Sequence, residues 1–216
     1  MHRRKLLGGL AALLAAERLI TLNAAWAAGN RPLPPGLHSA SGEVRLNGRP
    51  TSAGMPVQPG DTISTGEGAQ AIYVVGRDAY LQRERSSVQL FGESLSSGLR
   101  VVSGKLLSVF GKGDKRIETP TATIGIRGTG CYIEAAEKEV YFCLCYGTAE
   151  IIPRADPSLR EVITTRHHDH PLTIAADSTQ MMAPASVKNH SDDELVLLES
   201  LVGRYPPFIG QAYSSY

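Results

Sequence analysis

The sequence predicts an all-β domain with one amphipathic helix at its C-terminal end. Short runs rich in Val, Ile, Thr and Tyr recur at roughly 8–12 residue spacing, separated by turn residues, as in β-sandwiches and barrels. The 22 Gly and 13 Pro residues suit many tight turns. Between these runs the sequence shows no helical pattern of 10–15 residues, which argues against an α/β fold. We therefore expect a β-sandwich or jelly-roll-like domain over residues 41–190.

The individual strands follow from alternating side chains and from the turn residues between them. Residues 41–51, SGEVRLNGRPT, alternate apolar and polar side chains and then reach Asn47-Gly48, a strong hairpin signal. Further β-rich stretches cover residues 55–76, 78–92, 99–135, 139–153 and 160–176. Within 99–135 we expect three or four strands, with turns at Ser103-Gly104, from Gly111 to Asp114 and around Arg127-Gly128.

Residues 191–216 form the exception to the β pattern. Ser191 and Glu194 have the spacing of a capping box, and Gly203 and Pro206 mark the helix end. One helical face carries the apolar residues Leu195, Leu198, Leu201 and Val202. We expect this face to pack on the sheet; the alternative is that Leu195 and Leu198 bind a partner protein.

The first 27 residues predict a secretory signal peptide. A basic start at Arg3-Arg4-Lys5 precedes an apolar run from Leu6 to Ala16, and Ala25-Trp26-Ala27 has the pattern of a cleavage site. The apolar run is shorter than the roughly 20 residues that a membrane span requires, although an uncleaved anchor is an alternative. Arg3-Arg4 also resembles a twin-arginine export signal, so the export route stays open. We expect a periplasmic protein without a transmembrane span once the signal is cleaved, beginning with a flexible lead-in at 28–40.

Charge and motif content argue against several function classes. The full chain has a formal net charge of +1, and the predicted signal peptide removes more basic than acidic residues, so the exported chain is weakly acidic. A weakly acidic chain without a basic stripe is not expected to bind nucleic acid. The sequence contains no P-loop, no GxSxG nucleophile elbow and no CxxC pair. We therefore expect a protein that is not an enzyme.

The central part of the chain resembles the FecR domain, named after the ferric-citrate regulator of bacterial cell envelopes. The resemblance is carried by VVSGKLLSV, IETPTATIGIRGTGCYIE and VYFCLCYGTAEI, within residues 99–151. Thr119-Pro120-Thr121-Ala122, Ile126-Arg127-Gly128-Thr129 and Gly147 stand where that family has a T-P-x-A turn, an Arg-Gly-Thr motif and a closing turn. Residues 42–71 look like the usual approach to this domain, so the likeness covers about half of the chain.

The resemblance implies an exported binding or sensing module of the cell envelope, in signalling or in iron or envelope regulation. Its partner would be another envelope protein or a ligand. The anti-sigma role of the ferric-citrate regulator is not expected, because the first residues predict a signal peptide instead of a cytoplasmic segment. Arg127, between flexible glycines, is a candidate either for stapling strands through carbonyl groups or for binding a ligand carboxylate.

Two cysteines and a nearby group of histidines form a candidate metal site. Cys143 and Cys145 share one face of a predicted strand, about 6.5–7 Å apart, which strains a direct disulfide but suits two ligands of one metal ion. If 167–170 is also extended, His168 and His170 share a face and complete a Cys2His2 set, with His167 as a further candidate. Zn²⁺ or cuprous copper suits these ligands.

Two alternatives to the metal site stay open at this point. A hairpin turn near Glu137-Lys138 would bring Cys131 close to Cys143 and Cys145, so a disulfide from Cys131 is a competitor. The three thiols could also be small core residues without special chemistry, because free cysteine is among the most buried residue types.

Overall fold

The computed structural model describes residues 31–93, 96–177 and 180–211. The predicted signal peptide and residues 28–30 of the lead-in lie outside the described residues. The described part contains fourteen strands and one helix. They are β1 (Gly36–Ser41), β2 (Val44–Leu46), β3 (Arg49–Pro50), β4 (Thr62–Thr65), β5 (Gln70–Val75), β6 (Asp78–Gln82), β7 (Ser86–Glu93), β8 (Ser96–Val109), β9 (Asp114–Glu118), β10 (Ala122–Ala135), β11 (Glu139–Pro153), β12 (Glu161–Thr165), β13 (Leu172–Ala175), β14 (Met182–Pro184) and α1 (Asp192–Leu201).

The predicted all-β fold with one C-terminal helix is confirmed, but the described strands form one continuous sheet, not two separate sheets of a sandwich. Its main path runs β14-β13-β11-β10-β9-β8-β7-β4-β2-β3, and β1, β5, β6 and β12 pair off this path. The sheet stays continuous because long strands change neighbours: β10 pairs with β9 over 123–127 and with β8 over 130–135. Val44 and Ile174, from distant strands of the path, belong to the same buried cluster, so the sheet curls around a shared core.

Two of the predicted turns are bends inside long strands. Gly104 has a φ of 88° within β8, and the pairing of β8 switches there from β7 to β6. The Arg127-Gly128 turn is a bulge in β10, where the register with β11 shifts between Arg127 and Gly130. The hairpin at Asn47-Gly48 is confirmed, with both residues at positive φ, as a type I′ turn requires. The turn before Asp114 is confirmed as well.

Strand β11 separates two apolar clusters, one on each face of the sheet. Phe142 and Leu144 point into the core that the curled sheet encloses. Cys143 and Cys145 point to the other face, where they belong to the cluster that α1 covers. Leu195 and Leu198 are fully buried there, so the helix packs its apolar face on the sheet as predicted.

Hydrogen bonds and ion pairs hold α1 in a fixed position on the sheet. Glu194 accepts a hydrogen bond from the backbone N–H of Ser191 at 3.0 Å and pairs with Arg83 of the sheet at 2.7 Å. The buried carboxylate of Glu199 accepts hydrogen bonds from the Tyr146 hydroxyl and from Arg204. These contacts fasten α1 to Arg83, which follows β6, near its N-terminal end and to Tyr146 of β11 near its C-terminal end. Among the described residues, no helix is both long and apolar enough to cross a membrane.

Candidate metal centre

Strand β11 presents two thiols side by side toward α1. Cys143 and Cys145 are both fully buried, while Leu144 between them points to the opposite face. Tyr132 of β10 lies directly across from Cys143 in the sheet register. The sequence prediction that the two cysteines share a face therefore agrees with the structure.

The loop after β12 brings two histidines to the same place. The backbone N–H of His168 donates to the carbonyl of Cys145 at 2.9 Å, and the Thr165 hydroxyl donates to the carbonyl of Leu144. His168 has a φ of 54°, a left-handed conformation that few non-glycine residues adopt. Asp169 supports the turn, because its carboxylate accepts the backbone N–H of Arg166 at 2.9 Å.

The expectation that 167–170 is extended was wrong because of this turn. In an extended segment His168 and His170 would share a face; instead His167 and His168 are buried and His170 is exposed. The structure thus brings His168 to the cysteines, places His167 beside it and leaves His170 outside the group.

His190, which is not among the predicted metal ligands, supplies the second imidazole. It immediately precedes Ser191 at the start of α1 and stacks on Tyr132, with ring centroids 4.6 Å apart. Its Nδ1 lies 2.7 Å from the carbonyl oxygen of Lys188. A carbonyl only accepts hydrogen bonds, so Nδ1 carries a proton, and Nε2 offers a lone pair when only one ring nitrogen is protonated.

Four donor atoms of this group converge. The side chains of Cys143, Cys145, His168 and His190 place one ligand atom each within 4.8 Å of all the others. His168 Nδ1 lies 3.0 Å from His190 Nε2 and 3.4 Å from the Cys143 sulfur. A tetrahedral zinc site needs about 3.3 Å between two nitrogens and about 3.6 Å between nitrogen and sulfur, given its bond lengths. These two distances agree with the tetrahedral values within a few tenths of an ångström.

The hydrogen bonds around the two rings leave lone pairs facing each other. His168 Nε2 lies 3.3 Å from a carboxylate oxygen of Asp192, which as an ionised group can only accept. With Nε2 as the protonated nitrogen, Nδ1 of His168 directs its lone pair toward that of His190 Nε2. Two acceptors 3.0 Å apart require a cation between them, either a proton or a metal ion. Only a metal ion engages all four donors of the group at once.

Asp192 joins the centre to a second group of ligands. Its carboxylate lies 2.9 Å from His167 Nε2, so it contacts both histidines of the loop. A carboxylate that holds the outer nitrogen of a ligating histidine fixes the ring's orientation and raises its basicity. The carboxylate side chain is 41% exposed, in contrast to the buried sulfur atoms.

The two thiols of β11 differ in acidity. Hydrogen bonding from the Cys145 thiol lowers the pKa of Cys143 against the opposing effect of burial. Burial raises the pKa of Cys145, and the neighbouring Cys143 raises it further. Cys143 is therefore the thiol prepared to act as a thiolate, the form in which cysteine binds metals.

Cys131 belongs to a different part of the molecule. All three cysteines have free thiols, and Cys131 points into the enclosed core on the opposite face from Cys143 and Cys145. Burial raises the pKa of its thiol well above the ordinary value. A disulfide from Cys131 to either neighbour would require β10 to turn over, so this alternative does not fit the structure.

The remaining candidates from the sequence lie away from the centre or have another role. Arg127 is exposed and pairs with Asp114, its cross-strand neighbour, at 2.8 Å, so the carboxylate it meets is the protein's own. Leu195 and Leu198 are covered by the sheet, so both are core residues and do not form a surface for a partner. One signal for His190 exists in the sequence: it occupies the position before the capping box, where an apolar residue is common.

Comparisons with known proteins add little to the geometry. No family model matches the chain, and no curated protein matches it. Two crystal structures of a protein from Parabacteroides distasonis, provisionally described as an anti-sigma factor, match with 10% sequence identity and a TM-score of 0.49. The match covers 58% of this chain and 59% of that chain. At this level of similarity the two structures carry no argument about the function of this chain, and the FecR resemblance stays an expectation.

Proposed function

We propose that this protein is a non-enzymatic, exported β-domain that binds a transition metal ion, most simply Zn²⁺. The ligands of this ion are Cys143, Cys145, His168 and His190. The observation that carries the proposal is the convergence of these four donor atoms within 4.8 Å of one another in a buried position. Two sulfurs and two nitrogens are a common donor set of structural zinc sites.

The closed nature of the centre supports a structural or sensing role over catalysis. Four protein ligands fill the tetrahedral coordination of zinc, whereas catalytic zinc sites keep one position for water or substrate. Soft thiolate ligands also suit cuprous copper, so copper is the competing ion. The ligands come from β11, from the loop after β12 and from the residue before α1, and a bound ion would tie these three segments together.

We further propose that the domain serves as a binding or sensing module of the bacterial cell envelope. The N-terminal signal pattern and the FecR resemblance support this location and role. A surface groove of about 550 Å³, lined among others by Arg83 and Glu194, borders His190 and offers a site for an envelope partner. Because His190 contributes both to the groove and to the metal centre, metal binding would influence the shape of the groove.

The metal content of the protein tests the proposal. The protein is purified from cells without chelators, passed through gel filtration and analysed for zinc and copper by mass spectrometry. We expect about one tightly held ion per chain, which Cys143→Ser and His190→Ala each remove. His170→Ala and Cys131→Ala are the matched controls, because these residues lie outside the group, and they should keep the ion.

Two results would overturn the proposal. One is metal-free protein whose Cys143 and Cys145 are free thiols and which binds no added zinc. The other is retention of the ion in Cys143→Ser and His190→Ala. Circular dichroism separates loss of the ion from loss of the fold, since a folded variant without metal supports the assignment of ligands directly.

A further inference from the structure

We infer that His167, Asp192 and the outer nitrogen of His168 form a second metal position, facing solvent and bridged to the buried centre by the His168 ring. This inference rests on the proposed function, because His168 Nδ1 is taken as a ligand of the first ion. The ligand class is a divalent ion that accepts nitrogen and oxygen donors, such as Zn²⁺ or Co²⁺.

The second position is inferred from His167, whose Nε2 is a potential metal ligand that the buried centre does not use. Orienting His168 requires only one oxygen of Asp192, at 3.3 Å from Nε2. Yet His167 Nε2 lies 3.0 and 2.9 Å from the two oxygens of the same carboxylate. Two imidazole nitrogens and a carboxylate thereby converge at one place, distinct from the four donors of the buried centre.

The surroundings of this second group hold its rings in place. His167 packs edge-on against His168 and against Phe208, with ring centroids 4.8 Å apart in both cases. The His167 and His168 side chains are 5% and 1% exposed, whereas Asp192 is 41% exposed. A metal ion could reach this position through Asp192, and three protein ligands leave coordination sites for water.

The charges of the two positions balance. Zn²⁺ with two thiolates and two neutral imidazoles is neutral at the buried centre. A second divalent ion would replace the Nε2 protons of both histidines. The His167 ring stays neutral with its proton on Nδ1, whereas the His168 ring, whose Nδ1 binds the first ion, releases its Nε2 proton to solvent. One carboxylate and one imidazolate then neutralise the second ion. The nearby acids Glu194 and Glu199 are paired with Arg83 and Arg204.

Cobalt titration of the metal-free full-length protein tests the inference. Cobalt bound by thiolates gives a charge-transfer absorption that cobalt bound by nitrogen and oxygen lacks, so the two positions are distinguishable. We expect two equivalents to bind, only one of them with the thiolate absorption. His167→Gln and Asp192→Asn should each reduce the stoichiometry from two equivalents to one and keep the thiolate absorption. Asp193→Asn, which removes the same charge one residue away, should still bind two.

Each other outcome contradicts one proposal in a recognisable way. One equivalent with the thiolate absorption overturns the second position and leaves the proposed function intact. Binding without the thiolate absorption overturns the proposed function, and no binding overturns both. Two equivalents that persist in Asp192→Asn place the second ion elsewhere and also overturn the inference.

Discussion

His190 Nε2 lies 3.0 Å from His168 Nδ1, although 22 residues separate the two histidines in the sequence. One residue belongs to the loop after β12 and the other to the segment that leads into α1. Both face the thiols of β11, so an ion at this point would connect the segment before α1 to β11 and to the loop after β12, which the sheet already pairs with each other. Since the unfolded chain cannot hold such a site, the free energy of metal binding would add to the free energy of folding.

Removal of the metal should lower the thermal stability of the protein. A ligand at about 1,000 times its dissociation constant stabilises the native state by about 4 kcal/mol. For a domain of roughly 150–250 residues, this corresponds to a decrease in Tm of roughly 8–16 °C on chelation. Differential scanning calorimetry with and without EDTA measures the change, with Cys143→Ser as the control that should not respond. An identical Tm in both conditions would contradict the proposed role of the ion.

Shortening Leu198 should destabilise the protein strongly. Its side chain is fully buried between α1 and the sheet, and a Leu→Ala change at such a site costs about 2–5 kcal/mol. Val196→Ala on the same helix should cost less, because Val196 is only partly buried. Urea unfolding gives both values. Equal effects, or a Leu198→Ala variant as stable as wild type, would show that the helix does not pack on the sheet.

Gly104 should not tolerate alanine. A methyl group there would overlap the Ser86 hydroxyl oxygen and lie 2.5 Å from the Cα atom of the same residue, and φ is also positive. Gly48→Ala is the matched control, since Gly48 has positive φ but nothing within 4 Å of the position that the added methyl group would take. We expect Gly48→Ala to lose about 1–2 kcal/mol from its conformation alone, and Gly104→Ala to lose more. If chemical denaturation shows a larger loss of stability for Gly48→Ala than for Gly104→Ala, the described bend in β8 at Gly104 is wrong.

Arg127 should matter little for stability. Its ion pair with Asp114 is exposed on both sides, at 78% and 80%, and surface pairs of this kind contribute little. Arg127→Ala should therefore change the free energy of unfolding by no more than about 0.5 kcal/mol. A loss of several times that size in urea unfolding would restore the hypothesis that Arg127 staples the strands.

Local sequence patterns predicted much of the fold but not the course of its long strands. Alternation and the Asn47-Gly48 pair predicted the first hairpin, and Ser191 with Glu194 predicted the start of α1. Gly104 and Gly128 were interpreted as turns, because glycine at positive φ is typical of a chain reversal. In the structure each strand continues past its glycine, since new partner strands take over the hydrogen bonds at that point.

The candidate site was predicted only in part, because some of its residues come together only through tertiary contacts between distant segments. The spacing of Cys143 and Cys145 determined that they share a face. His190 reaches the thiols, and Asp192 reaches the two histidines of the loop, only because α1 docks on the sheet, a contact that no spacing along the chain reveals. His170 was included because the segment was taken as extended, and the left-handed conformation of His168 reverses that assignment.

X-ray absorption at the zinc edge tests the central claim most directly, using full-length protein loaded with less than one equivalent of zinc so that the tightest site is filled first. The predicted result is a shell of two sulfur atoms at about 2.3 Å and two nitrogen atoms at about 2.0–2.1 Å. Loss of one sulfur from that shell in Cys143→Ser would identify the ligand. A shell made only of nitrogen and oxygen atoms would contradict a metal centre built on Cys143 and Cys145.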